Sequence, residues 1–570
     1  MGLKRIEAKH WVMGSLLVLS CLFTLYIYVL LAGSGVSEPG NDNPKDSAYN
    51  LLVDGFRSGQ LNLKAEAPIG LTHLPDPYDP TANAGYRDWL TYRLHDTSLY
   101  QGKLYLYFGI TPAVLLFWPW AALTGRYLFH WEAVAIFCAT GFLVNLALFW
   151  DIKRRYFQNT PRWILIPLTL SLGLSSGIPI LLARADIWEV AISCAYLLTS
   201  LTVAATWLAI HRRTQRSWWL AAASLACGLA VGARPTAVFY AAALVIPVIF
   251  YLRESRKREE KGQVWRLLVP AIIPMAVCGI GLATYNYLRF GNPLEFGVTY
   301  QMAGQYLPPE KLFNTDYFWF NIKAYLFSAA KFTTHPPFIG QPAAMKSLPL
   351  GHLGVENIFG ILVDTPMVWL MLALPLAWRG RGGEEKAPLQ LLGVIVLCAG
   401  IPTFLLLCFL VGAFSRYEVE FLSPCVFLSA IAILGLERAG RNRLIPRTAW
   451  SALLLFSVAF NVLYGIHVVA HNNQVVGTIL LEEKMPALAG EKLYKAVSFA
   501  PDDAESYNKL GIALALSGRP GEADVAFMHA IAIDPDNNKY RLNRDQLCHL
   551  AAAGSPAPPS LSNPRSNGSP

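Results

Sequence analysis

The sequence predicts an all-α, polytopic membrane protein, and three observations predict it. Apolar residues make up 54% and charged residues only 15% of the 570 residues, against roughly 45–50% and about 25% in soluble domains. Apolar runs recur along the chain at the length a helix needs to cross a bilayer, roughly 17–25 residues. The basic residues collect in the short connectors between those runs, which marks the cytoplasmic side of a helix bundle. Helices satisfy their own backbone hydrogen bonds in lipid, so they, and not a barrel, carry this chain across.

The elements follow in order. About eleven spans are expected, near 11–33, 131–150, 163–183, 187–210, 218–233, 236–252, 267–287, 358–378, 389–411, 417–436 and 448–470. The first run, Trp11 to Ala32, is too long for the apolar core of a cleaved signal and lacks a small-residue cleavage site, so it reads as an uncleaved span. With Lys4, Arg5 and Lys9 in the cytoplasm, four sets of connector charges fall on that side: Lys153 to Arg155, Arg212 to Arg216, Arg253 to Arg258 and Arg379 to Lys386. Arg438, Arg441, Arg443 and Arg447 do the same. This order holds only if Ile110–Gly125, short and broken by Pro112 and Pro119, lies in the interface or re-enters. Two long loops, about 33–109 and 288–357, then face outward with the C-terminal tail. Loops of that length are uncommon unless they carry function.

The net charge of +9 is spread over connectors instead of gathered on one exposed face, which argues against a nucleic-acid partner. The nine cysteines, Cys548 excepted, lie inside apolar runs with no CxxC spacing, so neither a disulfide framework nor a metal site is expected.

Beyond the last span the composition changes. Tyr507, Leu510, Gly511, Leu514, Ala523, Phe527, Ala530 and Pro535 fit the helix–turn–helix pattern of a tetratricopeptide (TPR) repeat. Ala489, Leu493, Ala496 and Pro501 precede their counterparts by one repeat length of about 34 residues. Residues 471–550 therefore read as one full repeat plus the second helix of another, able to bind a protein partner. Residues 551–570 read as a disordered tail.

Chemistry at a membrane surface needs polar groups just outside the hydrocarbon, and the outward loops supply them. Asp46 and Asp54 lie near two helical turns apart, so one helix would place both on one side. Either suits a general base; equally, Asp46 caps a helix begun by Ser47 and Asp54 lies on a solvated face. Asp76 to Pro80 is a turn motif in which Asp76 and Asp79 offer carboxylates to a divalent cation. Asp96 and Lys103 precede an apolar run, where Lys103 suits a lipid phosphate or simply snorkels. Arg184, Asp186 and Glu189 lie between two spans, Arg234 sits at the tip of another hairpin, and Arg416 to Glu420 opens a later span. Ionisable groups at such places are costly and mark function, and all three sets reach the same face. His335-Pro336-Pro337 either touches substrate or shapes a turn.

The long first loop with an early Asp, "GKLYLYFG" leading into an interfacial segment, "ARPTA" at a hairpin, "YNYLRFGNPLEFG" and "SRYEVEFLSP" together resemble GT-C membrane glycosyltransferases of the protein mannosyltransferase and aminoarabinose transferase type. The resemblance covers residues 1–470. It implies transfer of a sugar from a polyprenyl-phosphate donor to a lipid, glycan or protein acceptor on the extracytoplasmic face of, best, a bacterial inner membrane. It implies a first-loop Asp as base, with Asp46 in the best-matching place and Asp54 second. The family often shows a paired Asp-Glu where this chain has Asp46-Ser47. Asp79, Asp96, Lys103, Arg184, Glu189, Arg234, Arg289 and Arg416 become candidates for binding substrate, the arginines for stabilising the leaving phosphate. His95–Trp120 would form the juxtamembrane floor. Two other readings stand beside this one. A transporter would place ionisable groups at mid-span, where Asp364 is the clearest, and would show repeated halves. A catalytically inactive, membrane-anchored TPR scaffold would need no pocket.

Overall fold

The computed structural model describes residues 2–35, 43–87, 94–257, 264–305, 309–342, 345, 347–440 and 444–552. Arg258, Arg441, Arg443 and residues 553–570 of the tail lie outside them. The first half contains α1 (Gly2–Ser34), α2 (Ala48–Arg57), α3 (Ala113–Thr124), α4 (His130–Tyr156), α5 (Arg162–Arg184) and α6 (Ile187–His211). There follow α7 (Arg216–Ala233), α8 (Pro235–Arg253), α9 (Val264–Phe290), α10 (Thr315–Phe327), α11 (Pro366–Ala377), α12 (Gly383–Cys408), α13 (Val419–Ala439) and α14 (Leu444–Glu482). The tail holds α15 (Pro486–Phe499), α16 (Ala504–Leu516), α17 (Pro520–Ile533) and α18 (Asn538–Ala552).

The chain is a polytopic α-helical membrane protein. Among the described residues nine helices are long and apolar enough to cross a bilayer: α1, α4, α5, α6, α8, α9, α12, α13 and α14. The other two expected spans are α7 and α11. Helix α7 is rich in Ala and Gly and therefore less hydropathic, but its small residues let it pack tightly. A Cβ at Gly228 would lie 2.8 Å from Cys278 Cβ of α9. Helix α11 is wound as a 3₁₀-helix, so its twelve residues reach about 24 Å at ~2.0 Å per residue. Segment α3 spans only about 18 Å at ~1.5 Å per residue, short of the ~30 Å hydrocarbon core.

Local chemistry explains the two helix ends that matter most. In α5, Ser175-Ser176-Gly177 interrupts the helix with a left-handed Gly177 (φ 77°), and a second helical stretch, Ile178–Arg184, then carries Arg184 to the loop end. Ala185 is also left-handed (φ 46°), which turns the chain sharply so that Asp186 caps α6. The Asp186 carboxylate accepts from the Ile187 N–H at 2.7 Å, and Glu189 accepts from the Asp186 N–H at 3.1 Å, a capping box.

The two long loops are joined by short strands. Strands β1 (Thr97–Tyr100) and β2 (Lys103–Leu106) form a hairpin across Gln101-Gly102, both at positive φ (50° and 71°) as a two-residue type I′ turn requires. Strand β3 (Gln301–Met302), from the second loop, adds antiparallel to β1. Further on, β4 (Lys331–Phe332) pairs with β5 (Ile339–Gly340), and β6 (Val355–Glu356) lies parallel to β7 (Ala413–Phe414) just ahead of α13.

Helix α14 does not stop where the expected span ends at 470. Its 39 residues extend for about 58 Å, and its last turns enter the core of the tail. Val476 and Leu480 pack with Leu493, Leu510, Leu514 and Phe527, and a Cβ at Gly477 would meet Leu493 Cγ at 2.6 Å. The helical tail is thus continuous with the membrane bundle.

Candidate active site

At the end of the bundle that carries the long loops, charged side chains from six segments meet around two aromatic rings. Arg184, at the C-terminal end of α5 where a cation suits the helix dipole, hydrogen-bonds Glu356 of β6. Arg416, three residues before α13, donates from Nη1 to the other Glu356 oxygen at 2.6 Å. Glu189, fully buried, places Oε1 3.8 Å from Arg184 Nε. The Trp188 ring lies under both cations, 4.5 Å from the Arg184 guanidinium carbon and 5.7 Å from that of Arg416, the geometry of a cation–π contact.

The same indole ties in the first loop. Trp188 Nε1 donates to Asp96 Oδ2 at 2.9 Å, and Gln301 Nε2 donates to Oδ1 at 2.6 Å. Asp96 adopts φ 58°, and its N–H donates to the Met302 carbonyl at 2.9 Å. The carboxylate is therefore aimed by the β1–β3 junction.

Arg234, between α7 and α8, donates through Nε (3.1 Å) and Nη2 (2.9 Å) to Glu420 Oε1, while Thr236 Oγ1 donates to Oε2 at 2.6 Å. Tyr417 links the two halves, with Arg234 4.7 Å and Arg416 5.3 Å from its ring centre. Burial first, then the negative charge of Asp96, raises the Tyr107 hydroxyl, which also feels Arg234 and Arg416. Burial acts to raise the Glu356 carboxyl, but Arg416 and Arg184 outweigh it and hold the group at about 2. Burial acts to lower Arg416, and Glu356 outweighs it, so this guanidinium stays charged. Beneath Glu420 lies a cavity of about 50 Å³, lined in part by Tyr196, Thr199, Thr236, Tyr240 and Ser423.

Five of the candidates read from the sequence, Asp96, Arg184, Glu189, Arg234 and Arg416, thus converge. The others have different surroundings. Asp46 and Asp54 do not share a helix: Asp46 closes a 3₁₀ turn begun by Pro44, and Ser47, extended at ψ 147°, restarts the chain as the N-cap of α2. Asp46 is exposed, and Asp54 accepts from Tyr127 Oη at 2.6 Å beside Arg57 at 4.0 Å. Between them Tyr49 is buried against Phe117, 5.1 Å centroid to centroid, and feels the charge of Arg234, so α2 borders the site. Asp76 and Asp79 each accept the N–H two residues on, from Tyr78 and Thr81 at 2.9 Å; both carboxylates are exposed and used by the turn. Lys103 is exposed at the start of β2. Arg289 is buried and braces the hairpin, donating to the Leu106 carbonyl at 2.8 Å and to Asn286 Oδ1 at 2.7 Å. His335 reaches the tail, 3.5 Å from Asp502. Asp364 accepts the Ala330 N–H at 3.0 Å.

Sequence reasoning passed over Glu356, Trp188, Gln301 and Tyr417. A usable signal existed for Glu356, a lone carboxylate two residues before an expected span.

The loop ahead of Glu356 is pinned by His352. Its Nδ1 accepts from the Gly354 N–H at 3.0 Å and its Nε2 lies 3.0 Å from Asn321 Oδ1, an arrangement only the neutral ring satisfies. Burial lowers this imidazole from 6.5 to about 4. Unfolded chain binds the proton first as pH falls, so this stabilisation is full above about 6.5 and is lost toward pH 4. Thermal unfolding at pH 7.5 and pH 5 should show a larger drop for wild type than for His352→Gln; equal drops would contradict the assignment.

No protein-family model matches the chain, and no curated protein matches it. Among solved structures it is similar to the crystal structure of ArnT from Cupriavidus metallidurans bound to undecaprenyl phosphate. That similarity has 14% identity and a TM-score of 0.41, covering 92% of this chain and 75% of that one. The apo state of ArnT gives a TM-score of 0.39 at the same identity and coverage.

Proposed function

We propose that the chain is an integral membrane glycosyltransferase that moves a sugar from a polyprenyl-phosphate donor to an acceptor at the outward membrane face. The observation that carries this reading is the meeting of Arg184, Arg234 and Arg416 with Asp96 around Trp188 and Tyr417, at the end of the bundle where the long loops lie. Three guanidinium groups at a bilayer edge suit a phosphate whose lipid chain stays in the membrane. Beside them α3 exposes Leu115, Trp118 and Leu123, an apolar flank for an isoprenoid chain.

In the proposed step the acceptor oxygen attacks the anomeric carbon as its bond to the phosphate oxygen breaks. The acceptor proton passes to a carboxylate, and the phosphate leaves with the electron pair, stabilised by the arginines. Among the described first-loop carboxylates Asp96 touches the cluster, which favours it over Asp46 and Asp54 as the base. The sequence supports the sidedness: an N-terminus in the cytoplasm places the site and tail outside. We read α15–α18 as TPR-like helices seated on the outward face through α14.

The test is turnover of a panel of polyprenyl-phosphate sugars by purified protein and its Asp96→Asn, Asp46→Asn and Asp54→Asn variants. Asp96→Asn should lower kcat by about 100-fold, and the other two by only a few-fold. Loss confined to Asp46→Asn or Asp54→Asn would move the base there. A folded protein that neither transfers nor hydrolyses any donor would remove the transferase reading.

A further inference from the structure

We propose that Glu356 is an internal stand-in for the ligand anion: it occupies the guanidinium forks of Arg184 and Arg416 and must be displaced when a lipid phosphate binds. This rests on the reading of the cluster as a phosphate site. Both arginines converge on this one carboxylate, one on each oxygen. Donors nevertheless exceed acceptors, because Arg416 Nε is buried without a hydrogen-bond partner. A phosphate, with more oxygens than a carboxylate, would satisfy this fork more completely.

Glu356 is also the member of the cluster best placed to leave. Its side chain is 35% exposed, against 23% for Arg184 and 11% for Arg416. It lies on a two-residue strand flanked by Gly354 at φ 114° and Asn357 at φ 47°. A Cβ at Gly354 would meet nothing within 4 Å, so there is space beside the hinge. Next to β6 lies a cleft of about 180 Å³ lined by Ser328, Gln341, Met345, Val355 and Asn357, which leaves room for the strand to shift. The arginines, by contrast, are anchored by the rings of Trp188 and Tyr417. Because Glu356 stays ionised down to about pH 2, an anion releases it by competition, not by a change of pH in the physiological range.

The consequence is a selectivity filter. A neutral isoprenoid cannot open the clamp, and a carboxylate gains nothing over Glu356 itself. A phosphate competes better, and the leaving monoester, with up to two charges, competes better than the donor, a diester with one.

The experiment measures binding of undecaprenyl phosphate and of neutral undecaprenol to the detergent-purified full chain, as wild type, Glu356→Gln and Glu356→Asp. Glu356→Gln should bind undecaprenyl phosphate at least tenfold more tightly than wild type, with undecaprenol binding unchanged. Glu356→Asp keeps the charge but is one methylene too short to hold both forks, and should gain several-fold; it decides the matter if the Gln variant fails to fold. Wild type that binds the phosphate lipid, with either folded variant binding it equally or less well, would overturn the proposal and make Glu356 a fixed counter-ion. If no form prefers the phosphate lipid to undecaprenol, the phosphate site itself is wrong, and the inference falls with it.

Discussion

Arg416→Ala should lower transfer by about 1,000-fold, the scale of losing a preorganised group that stabilises developing negative charge. Arg416 is the best buried cation of the cluster and touches three of its members: Glu356 by a hydrogen bond, Trp188 and Tyr417 by their faces. Arg416→Lys keeps the charge but loses the planar fork and its stacking, so it should recover only part of the rate. The loss should fall on kcat with a smaller change in KM, since the leaving phosphate bears more charge in the transition state than in the bound donor. Steady-state kinetics on folded variants checks this. An Arg416→Ala enzyme within a few-fold of wild type would take Arg416 out of the phosphate site.

The largest stability effect is expected from Arg234→Ala. Arg234 and Glu420 are linked by a two-armed contact and mostly buried. Removing the cation leaves a carboxylate at the top of α13 with Thr236 as its remaining donor among the described residues. Breaking one side of such a pair costs about 3–5 kcal/mol. The small cavity beneath Glu420, whose lining includes the hydroxyl residues Thr199, Thr236 and Ser423, offers water some access, which places the expected loss at the lower end of that range. Glu420→Gln added to Arg234→Ala should restore much of the lost stability, because it removes the stranded charge. Thermal and denaturant unfolding in detergent would measure both. A double variant no more stable than Arg234→Ala would show that the cost lies in packing against Tyr417 instead.

The class of the protein, and the end of the bundle where costly charges collect, were legible from residue order alone. Long apolar runs have few stable alternatives in lipid, and a charge at the end of a span is legible because it is expensive there. That is why Asp96, Arg184, Glu189, Arg234 and Arg416 stood out and also came together. The left-handed residues at the Arg184–Asp186 turn were less legible, since Ala185 carries no local signature of its conformation. The Asp46 and Asp54 pairing misled because it assumed one continuous helix, and Pro44 with an extended Ser47 breaks it.

The partners of those charges follow from how the helices pack. Arg184 meets Glu356 across 172 positions, and Arg234 meets Glu420 across 186. No local periodicity carries such distances, because they depend on which helices pack side by side. The strand β3 that brings Gln301 to Asp96, and the unbroken run of α14 into the tail, have the same origin. Propensity and hydropathy act over a few residues, whereas a charge in a bundle takes its meaning from whichever opposite charge the packing delivers.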